Sequence, residues 1–368
     1  MWPIEDGDDS MIDLDDAGVV RRGDPAGMLD LVLRLGPMVP EGWDAGGEVA
    51  LPARAPRLLA VAGLGGSGIG GDLLEALLAP SSAVPVVVVR ATRLPACVDA
   101  AALVLACSYS GDTAETLAAF DDALGRKAAV VAITSGGALA ARARRGGVPV
   151  VAVRPGLPPR AALPLLFLPM LRLASRLGLT PVTDAEVREA AELLGRLAAA
   201  WGPSAPTGGN AAKHLAVRLH DALPVIYAAT PALAPVAYRW KTQLNENAKL
   251  FAIWNRFPEA SHNEVEAWPW PPPGAAAVVL RDGEDGARAA REVDAVRRLL
   301  AGRVRWVEEV WTQGDGRLAR LLSLVLLGDL TSVYAALLRG VDPTPVEAIA
   351  AVKRWMQEAP RSQGTSFP

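Results

Sequence analysis

The sequence predicts an α/β protein of two doubly wound, parallel-sheet domains with helices on both faces, preceded by an N-terminal helix and closed by a C-terminal one. Three observations carry this. Short apolar runs such as Leu58–Ala62 and Val86–Val89 are continuous rather than alternating, as strands buried on both faces require. They alternate with helix-like segments, the pattern of β-α-β units. After a polar, Pro- and Gly-bearing stretch at 201–209, the same alternation starts again.

Residues 11–35 place Met28, Leu31, Val32 and Leu35 at helical spacing and stop at Gly36-Pro37, which reads as an N-terminal helix or helices. The strand Leu58–Ala62 leads into a glycine loop and an apolar helix over 72–78. Strands follow at Val86–Val89, 103–106, 128–133 and 148–153. Beyond the 201–209 linker come a helix from Asn210, a strand at 224–228, a long helix over 236–253, and strands at 276–280 and 304–307. A helix over 318–338, a turn at Asp342-Pro343 and a last helix over about 345–356 close the chain. The W-P-W-P-P-P run at 268–273 reads as a stiff loop. The resulting division is a helical segment over 1–39, a first domain over 40–200 and a second over 201–368.

Composition bounds the function. Of 368 residues, 51% are hydrophobic and 21% charged, enough for sizeable cores and too apolar for a disordered chain. Net charge is −3 with no basic block, which argues against a nucleic-acid surface. A phosphorylated substrate must therefore be held by local donors rather than by a general positive field. The N-terminus is acidic and lacks the order of a signal peptide. The apolar stretch 163–173 is broken by Pro164, Pro169 and Arg172, and 321–338 by Asp329, so no membrane helix is expected. Cys97 and Cys107 read as reduced core thiols, and the protein as cytoplasmic. His214, His220 and His262 have no metal-ligand spacing, so neither metal nor cofactor is expected.

Two loops carry the chemistry. G-L-G-G-S-G-I-G-G, from Gly63 to Gly71, follows a strand and opens a helix, so its backbone N–H groups make an anion site, with Gly66 and Ser67 in it. It satisfies the G-x-G-x-x-G dinucleotide pattern. The next strand, however, is followed by Arg90 rather than an acidic residue, and Ser67 adds a hydroxyl. A plain structural turn is the alternative. S-Y-S-G-D-T-A-E-T, from Ser108 to Thr116, sets the hydroxyls of Ser108, Ser110 and Thr113 around one point at the end of another strand. A phosphate monoester without a lysine cluster needs such neutral, directional donors. The bland alternative is an ordinary helix cap.

In the 236–253 helix, Val236, Ala237, Trp240, Leu244, Ala248 and Phe251 form one apolar stripe; Glu246 lies on the far face and Asn247 on the stripe itself. Taken alone, Glu246 is a solvated glutamate and His262 a surface or core histidine. Together, however, N-E-N-A-K and the later E-x-x-H-N-E resemble the bifunctional phosphoglucose/phosphomannose isomerases, a family of the sugar isomerase (SIS) fold. The glycine loop, the S-x-S-G-x-T loop, Pro159-Arg160 and the closing D-P-T-P-V-E-x-I-x-x-x-K from Asp342 to Lys353 share the resemblance. It implies that Glu246 is the catalytic base, His262 the ring-opening histidine, Lys353 its assistant and Arg160 the cation beside the enediolate. It implies that Gly66, Ser67, Ser108, Ser110, Thr113 and Thr344 bind substrate. Asp112 stands where that family more often has asparagine and reads as a non-contacting position. The substrate implied is a hexose 6-phosphate, and the assembly a homodimer whose composite sites take His262 from the partner. Two rivals stay open: a non-catalytic phosphosugar-binding regulator, and an isomerase of another sugar phosphate.

Overall fold

The computed structural model describes residues 12–52 and 55–358; the acidic stretch 1–11 lies outside them. The chain begins with three short helices, α1 (Ala17–Gly23), α2 (Met28–Leu33) and α3 (Leu35–Ala45). Then come β1 (Leu58–Ala62), α4 (Gly65–Leu78), β2 (Val86–Val89), β3 (Ala102–Cys107), α5 (Ala114–Gly125), β4 (Ala129–Thr134), α6 (Gly137–Arg145) and β5 (Val150–Ala152). Two helices, α7 (Leu163–Arg176) and α8 (Asp184–Trp201), lead to the second half. There α9 (Ala211–Leu219), β6 (Leu223–Ala228), α10 (Ala234–Glu246), β7 (Ile253–Arg256), β8 (Ala275–Arg281), α11 (Ala287–Leu300), β9 (Val307–Trp311), α12 (Arg317–Leu338) and α13 (Glu347–Gln357) follow.

Both sheets are parallel throughout: β2-β1-β3-β4-β5 in the first and β7-β6-β8-β9 in the second. Successive residues of one strand enter different cores. Leu59, Val61, Leu103 and Leu105 face a central helical layer, while Leu58, Ala60, Val104 and Ala106 face α5 and α6. That double burial is why the strands read as unbroken apolar runs. The central layer is shared by the two sheets and holds α2, α3, α4, α7, α8, α9, α10 and α12. A third cluster packs α11 and residues 257–268 on the far side of the second sheet.

The structure redraws several elements. The N-terminal helices run to Ala45, because Pro37 falls in the first turn of α3, where its missing N–H has no intrahelical acceptor to lose. Helix α4 starts at Gly65, not at Asp72, so the glycine run supplies its first turns; close packing overrides the poor helix propensity of glycine. The 236–253 helix ends at Glu246. Lys249 takes a left-handed φ of 52°, and Ile253–Arg256 is a strand that the apolar stripe concealed. Phe251, read as part of that stripe, is 71% exposed. The last strand lies at Val307–Trp311 rather than 304–307. Of the two thiols, Cys107 is buried and Cys97 exposed, so only one belongs to the core. Helix α12 runs straight through Asp329 and is long and apolar enough to span a membrane, yet its apolar window is wholly enclosed by the protein. Asp329 survives there because it is paired with Arg239, both side chains 1% exposed.

Candidate active site

The strand order of the first sheet reverses between β1 and β3, and both loops singled out in the sequence leave the carboxyl ends of those two neighbours. Ligands of doubly wound sheets bind in the crevice at such a switch point. Ser67 sits in the first turn of α4 and is buried. Burial pushes the neighbouring Cys107 thiol up to about 12, with the Ser67 hydroxyl acting in the opposite direction. Ser108 Oγ lies 2.9 Å from Thr113 Oγ1 and accepts from the Gly111 N–H at 3.1 Å, so these hydroxyls brace the loop before any ligand arrives. Ser110 is exposed, its Oγ accepting from the Asp112 N–H at 3.3 Å. Gly111 carries the turn at φ 77°; a Cβ there would collide with the Gly136 carbonyl and hold the two loops apart. Asp112, read from the sequence as a position that does not contact substrate, has a structural part in the loop. Its Oδ1 accepts from the Ala138 N–H at 2.9 Å, in the first turn of α6.

These loops are tied to the turn that carries Arg160. Tyr109 Oη donates to the Arg154 carbonyl at 2.8 Å and accepts from the Leu157 N–H at 2.9 Å. Gly66 lies flat against Pro159, where a Cβ would stand 3.2 Å from the carbonyl oxygen. Arg160 is 6% exposed, and Nη1 stands 3.8 Å from Glu246 Oε2. Burial pulls the guanidinium below its ordinary pKa, and Glu246 opposes this. Glu246 is the last residue of α10, its side chain 30% exposed. Lys249 Nζ donates to the carbonyls of Glu246 and Asp342, each at 2.8 Å, so one cation closes the helix end and ties it to the 342–344 turn. Thr344 gives Arg160 its carbonyl at 2.9 Å, and its buried Oγ1 has no partner among the described residues. A hollow of about 450 Å³ opens here, lined by Asn245, Glu246, Lys249 and the segment 345–349.

Two predicted residues stand apart. His262 is exposed on a short 3-10 turn, Glu259–His262, and Lys353 is exposed on α13. Neither side chain makes a hydrogen bond among the described residues. Among the described side chains of α13 none is buried, and Ile349, Val352, Trp355 and Met356 expose an apolar face. A cleft of about 670 Å³ between α4 and α10 contains none of the predicted residues, and its Arg90 is already paired with Asp72.

Sequence reasoning assigned no role to Asn247, Arg239 or Lys249. Asn247 did leave a signal, as an amide on an apolar stripe. Arg239 and Lys249 left none, because an isolated cation on a helix reads as solvated.

Comparison with known proteins follows the same lines. Residues 209–356 match the family described as the bacterial phospho-glucose isomerase C-terminal SIS domain. A bifunctional phosphoglucose/phosphomannose isomerase of Caldicellulosiruptor bescii is 38% identical over 336 residues, covering 90% of this chain and 99% of that protein. One from Aquifex aeolicus is 36% identical over 301 residues, 80% of this chain and 89% of that protein. Among solved structures, a hypothetical protein of Thermus thermophilus superposes with a TM-score of 0.71 at 19% identity, over 94% of this chain and 93% of the other. A glucose-6-phosphate isomerase-like protein of the same organism gives 0.61 at 23%, over 94% and 99%. The structural likenesses establish the fold, and the sequence identities establish more: this chain belongs to the bifunctional phosphoglucose/phosphomannose isomerase family.

Proposed function

We propose that the protein is a cytoplasmic aldose–ketose isomerase that interconverts glucose 6-phosphate, mannose 6-phosphate, or both with fructose 6-phosphate through a cis-enediolate. The observation that carries this is the pair Glu246 and Arg160, a carboxylate and a guanidinium edge 3.8 Å apart beside two hydroxyl-lined loops. Ser67, Ser108, Ser110 and Thr113, with the backbone at Gly66, hold the phosphate, so that binding at the remote end positions the reacting carbons. Glu246 takes the C2 proton of the aldose and returns it to C1 of the ketose. Arg160 stabilises the enediolate charge, and Thr344 shapes the site. Glucose and mannose differ only at C2 and share that intermediate. The reading divides the chain into units of about 40–200, carrying the phosphate loops, and 201–368, carrying the base. A coupled assay supplied with fructose 6-phosphate and scoring both aldoses separately is expected to show at least one; absence of both sinks the proposal.

Ring opening falls to His262 with Lys353, and both need a neighbour. We propose a twofold dimer in which His262 of one chain completes the site around Glu246 of the other; the exposure of His262 and the bare apolar face of α13 support a covered surface. Inactive Glu246→Gln and His262→Ala proteins, unfolded and refolded together, should regain activity, since each heterodimer holds one intact site. Proven exchange without recovery defeats the composite site.

Ser110→Ala should weaken binding of a 6-phosphate by about 1.5–3 kcal/mol, the usual loss for a hydrogen bond to a charged group. Thr113→Ala should do the same and also free Ser108. Calorimetry with the unphosphorylated sugar is the control. An equal loss there means that these hydroxyls do not read phosphate.

A further inference from the structure

Arg160 is held on every edge but one. Its carbonyl accepts from Arg239 Nη2 at 2.8 Å, and Arg239 is locked to Asp329 by two bonds, Nε to Oδ1 at 2.9 Å and Nη2 to Oδ2 at 2.6 Å. Its own Nη2 donates to the carbonyls of Pro343 and Thr344 at 2.7 and 2.9 Å. Its Nε donates to Asn247 Oδ1 at 2.6 Å. Only Nη1 has no hydrogen-bond acceptor among the described residues, and it is the edge that faces Glu246.

Asn247 is fully buried, so its amide costs free energy unless both ends are bonded. Its orientation is dictated by Ser332. That hydroxyl donates to the Asp329 carbonyl at 2.6 Å, which leaves it only a lone pair to offer Asn247. Asn247 Nδ2 donates to it at 2.9 Å, and the amide oxygen is thereby turned toward Arg160. A flipped amide would set N–H against N–H at Arg160. Asn247 lies just beyond the end of α10, where packing alone would favour leucine at a fully buried position; the amide answers to Arg160, not to the core.

We infer that Asn247, oriented by Ser332, is a positioning residue that aims the free edge of Arg160 at the place beside Glu246 where negative charge develops. This rests on the reading of Glu246 as base and Arg160 as the enediolate cation. The guanidinium is a rigid fork, so fixing Nε and Nη2 fixes the direction of Nη1. Displacing such a group by about 1 Å can cost on the order of 10²-fold in rate.

The test is a double-mutant cycle on the full-length enzyme. Asn247→Leu is expected to lower kcat by about 10–100-fold with KM within about threefold. Ser332→Ala, which lets the amide turn, should shift kcat in the same direction by a smaller factor. In an Arg160→Ala background, neither change should lower kcat further, because a residue that acts through Arg160 has nothing left to aim. A merely structural role would give losses that add. Should Asn247→Leu fail to fold, the Ser332→Ala cycle with Arg160→Ala decides by the same criterion. A defective Arg160→Ala enzyme beside an Asn247→Leu enzyme of undiminished kcat overturns the inference alone, as do fully additive losses. An Arg160→Ala enzyme with undiminished turnover overturns both the inference and the role given to Arg160.

Discussion

Glu246→Gln is expected to lower kcat by about 10²–10⁴ while KM stays within a few-fold, the range typical for loss of a general base. The amide has the shape of the carboxylate but cannot take a proton. The site around it should hold its geometry: Glu246 ends α10, its side chain is 30% exposed, and the helix end is closed by Lys249 through the Glu246 backbone carbonyl, which the substitution leaves in place. Arg160 keeps its bonds to Asn247, Pro343 and Thr344, so the loss should fall on chemistry and not on binding. Steady-state kinetics joined to exchange of the C2 hydrogen with deuterated water separates the two. A variant that still exchanges C2 at more than a few per cent of the wild-type rate removes Glu246 from the role of base.

The second large effect is on stability. Arg239→Met should destabilise the protein by about 3–5 kcal/mol, the usual loss when one partner of a buried ion pair is removed and the other charge is left uncompensated. Burial raises the pKa of Asp329, and Arg239 is the main group opposing that rise. Without Arg239, the carboxyl stays protonated to higher pH in the folded state than in the unfolded one. The folded state then binds more protons between the two pKa values, so stability falls as pH rises through that window. The variant should therefore lose more stability than the wild type as pH rises above the ordinary carboxylate range, as read from urea midpoints at each pH. Arg239→Met/Asp329→Leu should recover most of the loss, since a well-packed apolar pair often replaces a buried ion pair at no net cost. A single variant as stable as wild type would show that the pair carries no weight in the fold.

The sheets were legible in the sequence because double burial leaves unbroken apolar runs, and those runs survive in β1, β2, β3 and β4 within a residue or two at each end. The strand β7 was not legible. Its four residues include Asn255 and Arg256, it lies at a sheet edge, and it follows a helix whose stripe continues in phase through Ala248. The end of α10 depends on a left-handed lysine, which no local pattern announces. Ser110, Thr113, Glu246 and Arg160 stand out as candidates because their loops and neighbours form recognisable runs. The groups that orient Arg160 were not, because Asp329 and Ser332 lie more than 160 residues away along the chain and meet it only through tertiary packing.

Helix α12 has a consequence for how the protein is made. It lies in the central layer with α2, α8, α9 and α10, so residues 28–33 close their core against residues 317–338. During synthesis from the N-terminus, the first sheet and its outer helices can form as soon as they emerge. The central layer cannot close at that stage. Through most of translation its leucine-rich faces lack the helix that covers them, and a 22-residue apolar segment arrives last to fill the gap. The nascent chain thus spends its longest exposure with an open apolar trough, the condition in which chaperones bind and premature release leads to aggregation. A chain stalled before residue 317 should be far more prone to aggregate than its length alone would suggest, and an early stop there would leave a protein that cannot seal itself.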